Sequence, residues 1–268
     1  MPFELSDRSV LVTGASSGIG AAVAVEVARR GARVGIVARR ETELAAVLER
    51  CRRHTPGSQM WVGDLADTAQ ADAMIDDLPE RLGGVDVLIN NAGIPKRRHV
   101  TRLTPGEVDA VMRINYLTPV RLALALLPAM MERGEGRIVN VASVAAVLSS
   151  PGESAYNASK AALAVWSETA DVDLDGTGVR VHVVHPGVVD TPLFDVPDND
   201  DLANPVDPIP VEDAAAAVLE PLESDALITY VPDYFADLAR AKADDPEGFL
   251  EGVAEWVREE RGDRTARP

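Results

Sequence analysis

Ser9-Val10-Leu11-Val12-Thr13 runs directly into Gly14-Ala15-Ser16-Ser17-Gly18-Ile19-Gly20, and an alanine- and valine-rich stretch follows as far as Arg30. The first five residues read as a buried strand. The stretch Ile19 to Arg30 reads as a helix, which Gly31 ends. Between strand and helix the glycines fall at 14, 18 and 20. Gly14 permits a tight turn, Gly18 lets the backbone approach a pyrophosphate, and Gly20 lets helix and strand pack closely. A helix that starts there presents unpaired N–H groups and the positive end of its dipole to an anion. The plainer alternative is a glycine/serine loop without a ligand, which the strand-to-helix setting disfavours.

Working outward, short apolar runs alternate with amphipathic ones. Strands are expected at Ala32–Ala38, Gln59–Val62, Val85–Asn90, Arg137–Ala142, Val179–His185 and Ala226–Val231. Helices are expected at Glu41–Arg53, from a Thr68 cap to Leu82, over Thr104–Arg133, and at Ser154–Asp175. Thr104 and Glu107 have capping-box spacing, and Pro119 and Pro128 are candidate kinks. Strand, helix, strand, repeated, predicts an α/β fold: a doubly wound parallel sheet of about seven strands with helices on both faces. Strands that are apolar throughout fit a sheet covered on both sides. No linker divides the chain, so 1–268 reads as one Rossmann-type domain with a cofactor half over about 1–135 and a catalytic and substrate half over about 136–260. Residues 191–210, rich in proline and aspartate, read as a mobile excursion. From Asp233 the pattern is helical, with a frayed end.

Composition narrows the class. The chain has 268 residues, 46% hydrophobic and 26% charged, which excludes a mostly disordered chain and a polytopic membrane protein. A lone cysteine, Cys51, excludes a disulfide framework and any cysteine-based zinc site, and no metal-ligand spacing is visible. With 26 basic and 43 acidic residues the net charge is −17, a surface that repels nucleic acid. Only Lys96, Lys160 and Lys242 are lysines. The acidity fits either a high-salt habitat or a general coding bias. There is no basic, apolar leader, and the apolar run Leu122–Met131 is short for a bilayer and contains Pro128, so a cytoplasmic protein without membrane partners is expected.

The residue after the second strand separates the two nicotinamide dinucleotides. A carboxylate there would hold a ribose 2′-hydroxyl. This chain has Ala38 followed by Arg39 and Arg40. An arginine pairs with a 2′-phosphate through forked hydrogen bonds, so Arg39 predicts NADP(H). NAD(H) remains possible, because a guanidinium can also stack on adenine, and both arginines could simply be a solvated helix start.

Later motifs make the chain resemble a short-chain dehydrogenase/reductase from about Val10 to Thr191. Thr13-Gly-x-x-x-Gly-x-Gly20 resembles that family's cofactor turn. Asp64-Leu65 resembles its adenine contact, and Asn90-Asn91-Ala92-Gly93 its segment after the fourth strand. Asn115 stands at the position of the family's structural and proton-relay asparagine. Ser143 precedes Tyr156 by 13 positions, and Tyr156-Asn-Ala-Ser-Lys160 is similar to the family's Y-x-x-x-K pair. Pro186-Gly187-x-Val189-x-Thr191 resembles the loop that closes on the nicotinamide. His185, where the family often has Asn or Ser, departs from the pattern without touching the expected chemistry.

The resemblance implies a hydride exchanged between the cofactor and a carbonyl or secondary alcohol. Tyr156 would serve as general acid and base, and Ser143 would orient the substrate oxygen. Lys160 would lower the tyrosine pKa and bind the nicotinamide ribose. Asn115 would hold a relay water. Tyr156 and Lys160, four apart on a helix, share a face. A 3-oxoacyl-thioester reductase ranks lower, because no basic patch for an acidic carrier is evident. A catalytically silent NADP-binding regulator or scaffold is the alternative, and the complete Asn115/Ser143/Tyr156/Lys160 set argues against it. The resemblance also implies a homodimer or homotetramer and a small-molecule substrate whose identity the sequence leaves open. His182 and His185 fall on opposite faces of a strand, His54 and His99 read as surface residues, and the tryptophans read as packing. Asp195, Asp198, Asp200 and Asp201 read as a solvated loop, or as carboxylates that keep anions from the pocket mouth.

Overall fold

Runs of β-branched and other apolar residues form seven strands, described in a computed structural model covering residues 3–201 and 207–265. In chain order they are β1 (Ser9–Thr13), β2 (Arg33–Ala38), β3 (Gln59–Val62), β4 (Val87–Asn90), β5 (Gly136–Val141), β6 (Val179–Pro186) and β7 (Ile228–Val231). All pair in parallel, in the order β3-β2-β1-β4-β5-β6-β7. The helices are α1 (Gly18–Arg29), α2 (Glu41–Arg52), α3 (Thr68–Leu82), α4 (Pro105–Met112), α5 (Thr118–Arg133), the single turn α6 (Ala145–Leu148), α7 (Ser154–Asp173), α8 (Val211–Ser224), α9 (Phe235–Asp244) and α10 (Pro246–Thr265). The doubly wound sheet predicted from the alternation is therefore present. Residues 266–268, within the end expected to fray, and 202–206 of the proline-rich excursion lie outside the described residues.

Alternation along each strand sends side chains to two cores. Val10 and Val12 pack with α1, α2 and α8, while Leu11 and Leu88 pack with α3 and α5. Burying each such side chain is worth about 1.5–3 kcal/mol, so the two layers supply most of the fold's drive. A buried polar chain crosses the second layer. Asn90 on β4 donates to Asn140 Oδ1 on β5 at 2.8 Å, and Asn140 donates to Ser167 Oγ on α7 at 2.8 Å.

Two expectations change in detail. Thr68 is not the cap of α3; Asp67 is, its carboxylate accepting the N–H groups of Ala69 and Gln70. A carboxylate outranks the neighbouring hydroxyl because it also meets the positive end of the helix dipole. The helix over Thr104–Arg133 begins on its Thr104/Glu107 capping box but is interrupted by a wide turn at Arg113–Leu117, not by a proline kink. The continuous 29-residue run Pro105–Arg133 is long and apolar enough to cross a membrane, more than the short run Leu122–Met131 suggested. Its buried Leu122, Ala123, Leu126 and Met130 lie against the sheet.

Candidate active site

Strand order reverses between β1 and β4, and the connections leaving these two strands part in opposite directions at their C-terminal ends. That crevice is where a doubly wound sheet offers a binding site. A cleft runs from Ile19 and Asn91 to Ser143, Tyr156 and Lys160.

The glycine turn forms one end. Thr13 closes β1, and its hydroxyl accepts the N–H groups of Asn91 and Ala92, both at 2.9 Å. The Asn91 amide donates to the carbonyls of Thr13 and Gly14 at 3.0 and 3.3 Å. Gly14 sits at φ +68°, and a Cβ there would fall 2.8 Å from Ala92 Cα. A Cβ on Gly20 would fall 2.4 Å from Asn91 Nδ2, so this glycine makes room for the turn itself as well as for helix packing. Gly18, at φ +53°, faces the Thr191 methyl, 2.9 Å from where a Cβ would be. Ser17 is the extended N-cap of α1 and its side chain caps nothing. The first N–H groups of α1 are thus left for an anion. A turn that tolerates no side chain, opening on uncapped N–H groups, fits a dinucleotide pyrophosphate.

The two arginines after β2 behave differently. Arg39 is exposed, 4.0 Å from Asp64 Oδ2. Arg40 leans back over the turn and donates to Ser17 Oγ at 2.6 Å and to Ser16 Oγ at 2.9 Å. Sequence reasoning singled out Arg39. Arg40 is the N-cap of α2, a position from which a long side chain can reach the preceding turn. Asp64 accepts the N–H of Ala66 at 3.0 Å, and the carbonyl of buried Leu65 accepts the Thr118 hydroxyl at 3.0 Å.

The other end gathers the residues predicted to carry chemistry. Ser143 follows β5; its hydroxyl accepts the Ala145 N–H at 3.1 Å, and it lines the cleft together with Tyr156. Lys160 lies one helical turn after Tyr156 on α7, buried, and donates to the Val141 carbonyl at 2.7 Å. Its Nζ is 6.0 Å from the Tyr156 ring centroid. Asn115 sits in the wide turn before α5. Its Oδ1 accepts the Ile94 N–H at 2.9 Å, and its Nδ2 donates to Ile94 O and Ser159 Oγ, both at 3.0 Å. Its carboxamide thus ties the segment after β4 to α7. Gly93 leaves the space between Asn115 and Lys160 open: a Cβ there would lie 3.1 Å from Asn115 Oδ1 and 3.5 Å from Lys160 Nζ.

Burial sets the proton affinities. It pulls the Lys160 ammonium down to about 8. It pushes Tyr156 well above the ordinary tyrosine range; the Glu153 carboxylate adds to the rise, and the Ser143 hydrogen bond opposes it. The Lys160 ammonium is directed onto the Val141 carbonyl, one helical turn from the phenol whose pKa it is expected to lower.

His185, read as outside the chemistry, is attached to it. The Ser143 carbonyl can only accept, so His185 Nδ1–H donates to it, at 2.9 Å, while the ring stacks on Tyr230 with centroids 4.9 Å apart. The loop after β6 is also braced. The Gly187 N–H donates to Val231 O at 2.8 Å, Val189 pairs with Ile209, and Pro186 O accepts the Val144 N–H. Asp198 of the excursion is exposed to solvent and Asp200 partly so, as expected, and both are ion-paired as well. Asp198 pairs with Lys96 at 3.0 Å and with Arg98, and Asp200 pairs with Arg102. They clasp residues 196–200 onto the segment 96–102, because five cationic and anionic side chains meet across two short loops.

A match to the short chain dehydrogenase family spans residues 8–201. The chain belongs to that family. It is an oxidoreductase acting on alcohol and carbonyl groups, and a nicotinamide dinucleotide is its cofactor class. A fatty acyl-CoA reductase of Mycobacterium tuberculosis is 40% identical over 197 residues, which cover 72% of this chain and 67% of that protein. A short-chain dehydrogenase from Sphingobium yanoikuyae, solved in complex with NADPH, superposes with a TM-score of 0.79 and 30% identity, covering 92% of this chain and 95% of that one. One from Burkholderia phymatum, in complex with NAD, reaches 0.81 with 25% identity, covering 91% and 96%.

Proposed function

We propose that this short-chain dehydrogenase, acting as a single domain, transfers hydride between NADP(H) and a ketone or secondary alcohol, with Tyr156 exchanging the proton. The observation that carries the reading is one cleft whose lining joins Ile19 of the glycine turn to Ser143, Tyr156 and the buried Lys160. Gly14, Ser16, Ser17, Gly18, Ile19 and Gly20 would cradle the pyrophosphate. Asp64 and Leu65 would border the adenine, and Asn91, Ala92 and Gly93 would line the floor. Pro186, Gly187, Val189 and Thr191 would close over the nicotinamide, which would supply or accept the hydride.

Ser143 and Tyr156 line the same cleft wall, so both hydroxyls can hydrogen-bond a developing alkoxide. Tyr156 holds its proton at neutral pH and gives it to that oxygen in the reductive direction. Lys160 fixes the opposite wall through Val141 and lies within reach of a ribose. Asn115 pins Ile94 and Ser159 and thereby keeps the loop and α7 in register.

Tyr156→Phe removes the proton donor and keeps the ring. Its turnover of a carbonyl panel should fall about a hundredfold to ten-thousandfold, with NADPH binding by fluorescence retained. Turnover near that of the parent would overturn the assignment. For the 2′-phosphate, Arg39 and Arg40 are the candidates, and Arg40 already grips Ser16 and Ser17. Arg39→Asp and Arg40→Asp should each move the NADPH/NADH ratio of kcat/KM toward NADH. If neither moves it, the NADP preference fails.

A further inference from the structure

Glu153 immediately precedes α7, three residues before Tyr156, and its side chain forms part of the same cleft wall as Ser143, Tyr156 and Arg97. Among the described residues, none donates a hydrogen bond to its carboxyl. Its electrostatic neighbours are Arg97 across the cleft and Tyr156 on its own helix. Arg97 is itself buried and tied into the clasp, its Nε donating to Asp200 O at 2.8 Å and its N–H to Asn199 Oδ1 at 2.7 Å. Burial pushes the Glu153 carboxyl up to about 7 against the pull of Arg97. The surrounding wall is largely apolar, with Pro95, Val144, Val188 and Leu193 among its residues.

A half-buried carboxyl on a cleft wall, with no donor to it among the described residues, can take its hydrogen-bond partner from that cleft. In an otherwise apolar pocket, a few such groups fix the orientation of the ligand and select it. Two facts narrow the partner. The side chains of Glu153 and Tyr156 leave the same first turn, so the group that Glu153 meets lies a few bonds from the oxygen held by Tyr156 and Ser143. Arg97 and Glu153 carry opposite charges on the same cleft, so a neutral group is favoured over an anion or a cation. An ionised carboxyl only accepts, whereas a protonated one also donates, and a hydroxyl satisfies either form.

We propose that Glu153 is a specificity-determining residue that hydrogen-bonds a hydroxyl borne by the substrate a few bonds from the reacting carbon, so that hydroxyketones and the corresponding diols are the preferred substrate class. The inference rests on the reading of Tyr156 and Ser143 as the carbonyl site.

The test uses the full chain with NADPH and three matched ketones: a hydroxyketone, the analogue with the hydroxyl replaced by hydrogen, and an oxo acid of equal length. The parent enzyme should favour the hydroxyketone over its deoxy analogue by about tenfold or more in kcat/KM. Glu153→Leu should bring that ratio to about one, and Glu153→Gln, whose amide still donates and accepts, should keep part of it. Thermal melting and NADPH binding show whether each variant is folded. A parent ratio near one, a Glu153→Leu ratio equal to the parent's, or a preference for the oxo acid that survives in Glu153→Leu each overturns the inference while leaving the carbonyl site standing. Failure of the parent to reduce any of the three overturns the carbonyl reading and the inference together.

Discussion

A tyrosine buried beside a carboxylate is a poor base at neutrality and a competent acid. Because burial and Glu153 raise Tyr156, its phenol stays protonated far above neutral pH, and Lys160 loses its charge near 8. The sign is definite: raising the pH favours the deprotonated tyrosine that alcohol oxidation needs and depletes the acid that reduction needs. Alcohol oxidation followed at saturating NADP should therefore climb steadily from neutral to alkaline pH, while carbonyl reduction holds at neutral pH and falls above it. An oxidation rate that peaks below neutrality would contradict this. His185 is the residue whose importance the motif pattern hid. As a departure from the family's Asn or Ser it looked incidental, yet it donates to the main chain of Ser143. His185→Phe keeps the stacking on Tyr230 and removes the donor. It should lower kcat about tenfold, the size of effect a lost buried hydrogen bond gives, with KM for NADPH unchanged; His185→Asn should recover part of it. A rise in the NADPH KM with kcat intact would show a merely structural role.

At the scale of elements, what the sequence revealed and what it hid divide along one physical line. Continuous strands, the glycine turn and the Thr104/Glu107 box were legible because each depends on neighbours in the chain. Arg40 reaching Ser16, His185 reaching Ser143, and Asp198 and Asp200 reaching Lys96, Arg98 and Arg102 were not, because each joins residues 24 to 102 positions apart in the chain. The wide turn at Arg113–Leu117 was hidden too, since nothing in its composition distinguishes it from ordinary helix. The clasp between 96–102 and 196–200 is built from exposed ion pairs, which salt screens. Asp198→Asn combined with Asp200→Asn should raise the KM for ketone about threefold to tenfold and make it insensitive to added salt, whereas the parent KM should itself rise with salt. Parallel salt curves for the two proteins would remove the clasp from substrate binding.

Across the whole molecule, the acidic surface and its arginine partners tie stability to pH. Asp67, Asp72 and Asp77 are held below their ordinary range by hydrogen bonds from Gln70, Arg121 and Trp61 respectively, and Glu107 is drawn down to about 2, chiefly by Lys96. A carboxylate whose pKa is lower folded than unfolded contributes stability above its unfolded value and loses it as pH falls through the folded one. For Glu107 that window runs from 4.5 to about 2. Glu107→Gln should therefore narrow the gap in melting temperature between pH 7 and pH 3, as calorimetry would show, and an unchanged gap would refute it. Leu124 on α5 and Val165 and Val172 on α7 are exposed. We propose that the chain self-associates through these helices; Val165→Glu should then shift sedimentation toward a smaller species, and an unchanged profile would refute it. Lys242, on α9 and beyond the stretch shared with the family, donates to Val147 O at 2.6 Å and Ser149 Oγ at 2.7 Å, and so props the wall beside Ser143 from outside. A change in α9 can therefore reach the wall of the cleft without touching Ser143, Tyr156 or Lys160. Grafting another relative's C-terminal helices onto this scaffold would be a way to exchange substrate range without touching a reacting residue.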